Sequence, residues 1–225
     1  MINQDLQNRL TQLCRPHAWR LLCSAVVVTS LLSGCQHLPN FPSTTSEVIA
    51  TSPAPSNYPI TEERRALAAE IGALQGSAIK NYMDNQEFAL REQLRGSSIK
   101  VHRDGDILRL EIPSQVTFAV GKSEIRAKLY PMLSTIAKVV AEYSKTMVVI
   151  IGHTDDSGSL QTNMQLSQQR ADAVKSYLLS QQLDERRLET HGEGPNYPLL
   201  PNSTAANRAA NRRVEILLAP LTLGE

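Results

Sequence analysis

The spacing of hydrophobic positions changes repeatedly along the chain, and each change marks an element. An apolar run, Leu21-Leu-Cys-Ser-Ala-Val-Val-Val-Thr-Ser-Leu-Leu32, is followed by a stretch over 36–60 with no apolar period. Over 61–95, Leu67, Ile71, Leu74 and Ala78 recur at spacings of 4, 3 and 4, the signature of one helix face. Asn81 and Asn85 interrupt that stripe and Phe88 resumes it. Thr61 is the expected N-cap, Glu62 and Glu63 suit the first turn, and Gly96 is the expected stop. One helix is therefore expected over 61–95. Ala68, Gly72 and Gly76 also set small residues every four positions, which permits close helix contact. The stripe has two readings, packing on its own domain or a face for self-association or a partner protein.

From Ser98 the period becomes two. Ile99-Lys-Val101 and Ile107-Leu-Arg-Leu110-Glu-Ile112 flank Arg103-Asp-Gly-Asp106, a strong hairpin signal. Residues 122–144 return to helical spacing, with Ile125, Leu129, Leu133, Ile136, Val139 and Val140 on one face. Met147-Val-Val-Ile-Ile151 is continuously apolar and predicts a strand covered on both faces. A second helix is expected to end near Leu183, with Ser167 as its N-cap candidate. A short strand over 188–192, a loop with Pro195, Pro198 and Pro201, and a last strand, Val214-Glu-Ile-Leu-Leu218, complete the order. Hairpin, helix, strand, helix, strand, strand predicts an α+β domain, a mixed β-sheet with helices packed on one face.

Composition narrows the class. Of 225 residues, 41% are hydrophobic and 20% charged, which excludes a wholly disordered, collagenous or multi-span membrane chain. With 23 basic against 22 acidic side chains there is no electrostatic case for nucleic acid. Cys14, Cys23 and Cys35 are too few and too clustered for a disulfide framework.

Arg9, Arg15 and Arg20 precede the apolar run, whose 12 residues are too few to span the hydrocarbon of a bilayer. A basic flank, a short apolar stretch and small residues are the parts of a secretory signal peptide. Leu32-Ser33-Gly34-Cys35 resembles a bacterial lipobox. That resemblance implies cleavage after residue 34 and acylation of Cys35, and Gln36 implies export to the outer membrane. The plainer reading is a core or signal-anchor helix that ends in cysteine. Residues 36–60 hold five prolines and seven serines or threonines among 25 positions. That composition favours a disordered, extended tether reaching up to ~78 Å at ~3.1 Å per residue. The expected organisation is a signal peptide over 1–34, lipidated cysteine and tether over 35–60, a helical segment over 61–97 and a domain over 98–220.

In that domain Val149-Ile-Ile-Gly-His-Thr-Asp155, Gly158, Asn163, Leu166-Ser167, Arg170-Ala171, Val174 and Tyr177-Leu178 stand in a distinctive order. Gly192-Glu-Gly194, Pro198 and Asn211-Arg-Arg-Val-Glu-Ile216 follow. The set resembles the signature of the OmpA C-terminal domain over about 116–219. With the lipobox, the chain resembles small OmpA/Pal-type lipoproteins such as the YiaD group. Of the glycine zipper that group carries, only Gly72 and Gly76 stand here. A membrane barrel is not expected, since the residues before the domain cannot supply eight strands of ~10 residues.

The resemblance implies non-covalent binding of peptidoglycan through meso-diaminopimelate, by a protein lipid-anchored in the outer membrane with its domain in the periplasm. Asp155 then takes the ligand's ammonium and Arg170 its carboxylate. The residue types suit the task, because a carbon bearing both groups needs an anion beside a cationic fork. Asp155 also follows the buried strand, where α/β sheets form ligand crevices. With Ser167 as N-cap, Arg170 would sit in a first turn beside free backbone N–H groups. The alternative is that Asp155 and Arg170 pair with each other. Thr154 and Asn163 are expected to shape the loop, one of Arg212 and Arg213 to reach the site while the other is a solvated edge charge, and Phe118 to match the family's aromatic. Ala119 stands where many members carry an acid.

No cofactor or metal is expected: His153 has no second His or Cys at ligand spacing, and His37, His102 and His191 are similarly alone. Catalysis is the main rival. A hydrolase needs separated carboxylates or an activated nucleophile, but Asp155 and Asp156 are adjacent and the chain after residue 34 has no tryptophan for sugar stacking. The other rival is a wall-anchored accessory lipoprotein of a signalling or secretion system whose 61–95 helix binds a partner.

Overall fold

All eight residues of the strand Thr146–His153 are buried, as its continuous apolar run predicts. In the computed structural model the described residues are 61–223, so the signal peptide expected over 1–34, Cys35 and the tether expected over 36–60 lie outside them. The five strands are β1 (Lys100–Asp104), β2 (Ile107–Pro113), β3 (Thr146–His153), β4 (Leu188–Gly194) and β5 (Arg213–Pro220), in the order β1-β2-β5-β3-β4. Only β3 and β4 run parallel. The last strand in sequence is thus central, paired with the hairpin on one side and with β3 on the other.

Alternation in the strands decides which face is apolar. Leu108, Leu110 and Ile112 of β2, Val148 and Ile150 of β3, and Val214, Ile216 and Leu218 of β5 share one core. It is completed by helix α2 (Ser77–Gln93) through Met83 and Leu90, α4 (Tyr130–Glu142) through Leu133, Ile136 and Val140, and α5 (Leu160–Ser180) through Ala171, Val174 and Leu178. Each fully buried branched side chain of this kind contributes ~1.5–3 kcal/mol. The mixed sheet with α2, α4 and α5 on one face is the architecture expected of the domain. Two short helices, α3 (Ser114–Thr117) and α6 (Ala205–Asn211), lie next to β2 and β5 in the chain. Among the described residues no helix is long and apolar enough to cross a membrane.

The segment before the domain departs from the single helix expected. It divides into α1 (Glu62–Ile71) and α2, because Gly72 at φ 90° and Gly76 at φ 52° adopt backbone conformations that break a helix. Across the break the Leu74 amide donates to the Leu221 carbonyl at 2.8 Å. Leu67 and Ala68 pack on Met147 and Leu221, at one end of the sheet face opposite the main core. Arg64 pairs with Glu189, and Arg186 reaches Glu70 at 2.7 Å. The Leu67–Ile71–Leu74 stripe is therefore turned onto its own domain, with Leu67 and Leu74 buried and Ile71 partly buried. Phe88 does not resume it and is 69% exposed.

The helix expected over 122–144 starts later. Pro131 stands in the first turn of α4, where a missing N–H is harmless, whereas the same proline would break a helix begun at 122. Ile125 instead forms an isolated bridge with Phe118, and a 3-10 turn over Ala127–Leu129 leads into α4.

Candidate functional site

The carboxyl end of β3 opens into the loop that carries Thr154 and Asp155. The Thr154 amide donates to the Gly194 carbonyl at 2.9 Å, and its hydroxyl to the Asp155 carbonyl at 2.9 Å. Asn163 closes the loop from α5, its Nδ2 donating to the carbonyls of Asp155 at 3.3 Å and Ser157 at 3.0 Å. Both residues thus shape the loop by side-chain to backbone bonds, as expected.

Asp155 is buried, with Oδ1 accepting from the Ser157 amide at 2.9 Å and Oδ2 from Arg212 Nη1 at 2.5 Å. Burial by itself raises its pKa, but the bonds from Arg212 and Ser157 outweigh it and hold the carboxyl below the usual aspartate range. Asp155 is therefore ionised at neutral pH. An ionised carboxylate has about four lone-pair sites, so two donors leave acceptor capacity for a ligand.

Arg170 reaches the same cavity by a different route from the one the sequence suggests. Helix α5 begins at Leu160, and Ser159 caps it by accepting from the Thr162 amide at 3.1 Å. Ser167 lies inside the helix. Its hydroxyl donates to the Met164 carbonyl at 2.8 Å and accepts from the Gly194 amide at 2.9 Å, so it ties α5 to the end of β4. The strands meet α5 at glycines: a Cβ on Gly192 would stand 2.4 Å from the Gln168 amide nitrogen. Arg170 consequently projects from the third turn, and free N–H groups of a first turn play no part in its position.

The Arg170 side chain is 3% exposed. Nε donates to the Lys122 carbonyl at 3.1 Å, and the guanidinium carbon lies 5.1 Å over the Phe118 ring centre. Burial, with Arg212 nearby, lowers its pKa while Asp155 opposes the shift. A guanidinium stays charged in any case. Nη1 is buried and has no hydrogen-bond partner among the described residues.

Asp155 and Arg170 are not each other's partner; Arg212 holds the carboxylate. Nor is Arg213 a solvated edge charge. It is 1% exposed, with Nε donating to Glu215 Oε1 at 2.6 Å and Nη2 to the Tyr197 carbonyl at 3.1 Å. Asp155, Arg170, Arg212, Asn163, Thr154 and Phe118 all line one cavity of about 440 Å³. Arg126 lines it too, with Nε donating to the Phe118 carbonyl at 2.9 Å. The sequence hid this residue inside an expected helix; the late start of α4 puts it on the rim.

His153, fully buried, is pushed down to about 3, mainly by burial, and is neutral at physiological pH. Among the described residues no group of three His, Cys, Asp or Glu side chains is placed to hold a metal ion.

Residues 117–212, which span this cavity from Phe118 to Arg212, match the OmpA family. The chain is 45% identical over 146 residues to probable lipoprotein YiaD of Escherichia coli, across 65% of this chain and 67% of that protein. The chain belongs to the OmpA family. A second OmpA-like relative, the peptidoglycan-associated lipoprotein of Buchnera aphidicola, is 25% identical over 144 residues, covering 64% of this chain and 83% of its own length. The structure of the cell wall anchor of the T6SS from Pseudomonas aeruginosa superposes on 63% of this chain and 96% of its own, with TM-score 0.50 and 27% identity. In this OmpA-family domain the match takes in Phe118, Arg126, Thr154, Asp155, Asn163, Arg170 and Arg212.

Proposed function

We propose that this protein is an outer-membrane lipoprotein, anchored through Cys35, whose OmpA-family domain binds peptidoglycan non-covalently by the free end of diaminopimelate and so links the outer membrane to the wall. One observation carries the reading. Arg170 is a buried guanidinium with an unmet Nη1, in a cavity whose other wall is the ionised Asp155. A buried donor without a partner costs free energy, and a ligand carboxylate relieves that cost with a charge-assisted bond. The ammonium on the same ligand carbon is complementary to Asp155. The relatives named for peptidoglycan association and for wall anchoring support the same reading.

Asp155 is suited to hold a cation and not to act as a general acid. A carboxyl acting as a general acid on a glycan needs a raised pKa, and that of Asp155 is lowered by its own partners.

A fragment from Thr61 should co-sediment with purified sacculi that contain diaminopimelate and much less with walls that carry lysine there. Lysine lacks the second carboxylate, so Arg170 would keep its unmet donor. Equal sedimentation with both walls would overturn the reading. For the anchor, Cys35→Ala should abolish acyl labelling and release the protein from outer-membrane fractions; labelling that persists would exclude Cys35 as the acylated residue.

A further inference from the structure

The charged side chains that line the cavity are Arg126, Arg170, Arg212 and Asp155. Three guanidiniums against one carboxylate leave a formal excess of two positive charges. Arg212 is committed to Asp155, so the excess resides on Arg170 and Arg126. Arg126 is held at the rim from two directions. Its amide donates to the Thr117 carbonyl at 2.7 Å and its Nε to the Phe118 carbonyl at 2.9 Å. Its side chain is exposed, and it forms no ion pair among the described residues. The adjoining loop, Ala119-Val120-Gly121, lines the cavity and supplies no acid.

A zwitterionic ligand end matches this arrangement only in part. Its ammonium answers Asp155 and its carboxylate answers Arg170, which leaves Arg126 unanswered. Resting on the function proposed above, we infer that Arg126 is a second carboxylate subsite, and that the preferred ligand is a stem-peptide end bringing one carboxylate more than the zwitterion. The planar guanidinium fork suits that group, and the Nε bond leaves its terminal nitrogens to receive it. Two sources offer the same chemistry. One is the other carboxyl of diaminopimelate, free when no residue follows it. The second is the α-carboxyl of the γ-linked glutamate that precedes it.

Calorimetric titration of the intact chain in detergent distinguishes them with three peptides. These are L-alanyl-γ-D-glutamyl-meso-diaminopimelate, the same peptide amidated at the main-chain carboxyl of diaminopimelate, and the same peptide amidated at the glutamate α-carboxyl. One amidated peptide should bind roughly three- to tenfold more weakly than the free one, the scale of a charge pair at an exposed rim. Which peptide weakens identifies the source. Arg126→Gln should bring the free peptide level with the weakened one, and Arg126→Lys, which keeps the charge without the fork, should fall between. Equal binding of all three peptides by the unaltered chain would overturn the subsite, with no variant needed. A preference that survives in folded Arg126→Gln protein would do the same, and both results leave the diaminopimelate clamp standing. If the folded, unaltered chain binds none of the peptides, the clamp itself fails and the subsite with it.

Discussion

Gly152 on β3 lies against the main chain of Ser167 on α5, so closely that a Cβ on Gly152 would stand 2.1 Å from the Ser167 carbonyl oxygen. With Gly192 meeting Gln168 in the same way, α5 rests directly on the ends of β3 and β4. One turn further along α5, Arg170 enters the cavity at the height this contact sets. A backbone oxygen cannot swing aside as a flexible side chain does. Gly152→Ala should therefore cost about 2–3 kcal/mol, as overpacking in a tight core does, seen as a lower urea midpoint with unchanged m. A loss within about 0.5 kcal/mol, typical of surface substitutions, would show that α5 can lift off the sheet without cost.

The stripe of α1 makes a second prediction. Leu67 is 1% exposed against Ala68, Met147 and Leu221, and Leu74 is 6% exposed. Leu67→Ala should destabilise the domain by ~2 kcal/mol, the low end for a buried leucine because the cluster is small. Leu74→Lys should also destabilise, while light scattering returns the association state of the unaltered protein. A Leu74→Lys protein of unchanged stability but altered association would restore the partner-face reading.

Strand positions and the hairpin were legible in the sequence because alternation and the Asp104-Gly105 turn are local signals. The site was legible as a set of residues but not as a geometry. Ser167 is the N-cap expected from the sequence, and Ser159 is the one found. Ser167 is removed from that role by a tertiary bond to the Gly194 amide, which no local pattern encodes. The partner of Asp155 could not be read either, since the choice between Arg170 and Arg212 depends on where β5 inserts, between the hairpin and β3. Arg213 read as an edge charge because its acid, Glu215, sits two residues on along a strand that reads as apolar.

A third prediction follows from the lowered pKa of Asp155. A carboxyl depressed in the folded state contributes stability that is complete above its unfolded pKa, about 3.9, and is lost as pH falls through the folded value. The stability difference between the unaltered protein and Asp155→Asn should be constant from neutral pH to about 5. It should close only below the ordinary aspartate range. Arg212→Gln, which removes the strongest interaction lowering this pKa, should move the closure to higher pH. A difference that already shrinks between pH 7 and 5 would mean that Asp155 is not held in its charged form by Arg212.

The clamp itself makes the last prediction. Asp155 and Arg170 approach one cavity from different elements, the loop after β3 and the third turn of α5, and neither is the other's partner. On a ligand carbon that bears both an ammonium and a carboxylate, each engages one group. Removing one member of a charge-assisted pair in a recess costs about 2–5 kcal/mol, some 30-fold or more in affinity. Asp155→Ala and Arg170→Ala should each weaken sedimentation with diaminopimelate-containing sacculi on that scale while the circular dichroism of the domain is unchanged. Once either contact is gone the ligand carbon is no longer fixed, so the remaining contact loses its alignment. The double variant should then be scarcely weaker than either single one, a coupling expected of residues that share one ligand centre. Strictly additive losses would place the two residues on separate parts of the wall, and full binding by folded Arg170→Ala protein would remove the clamp altogether.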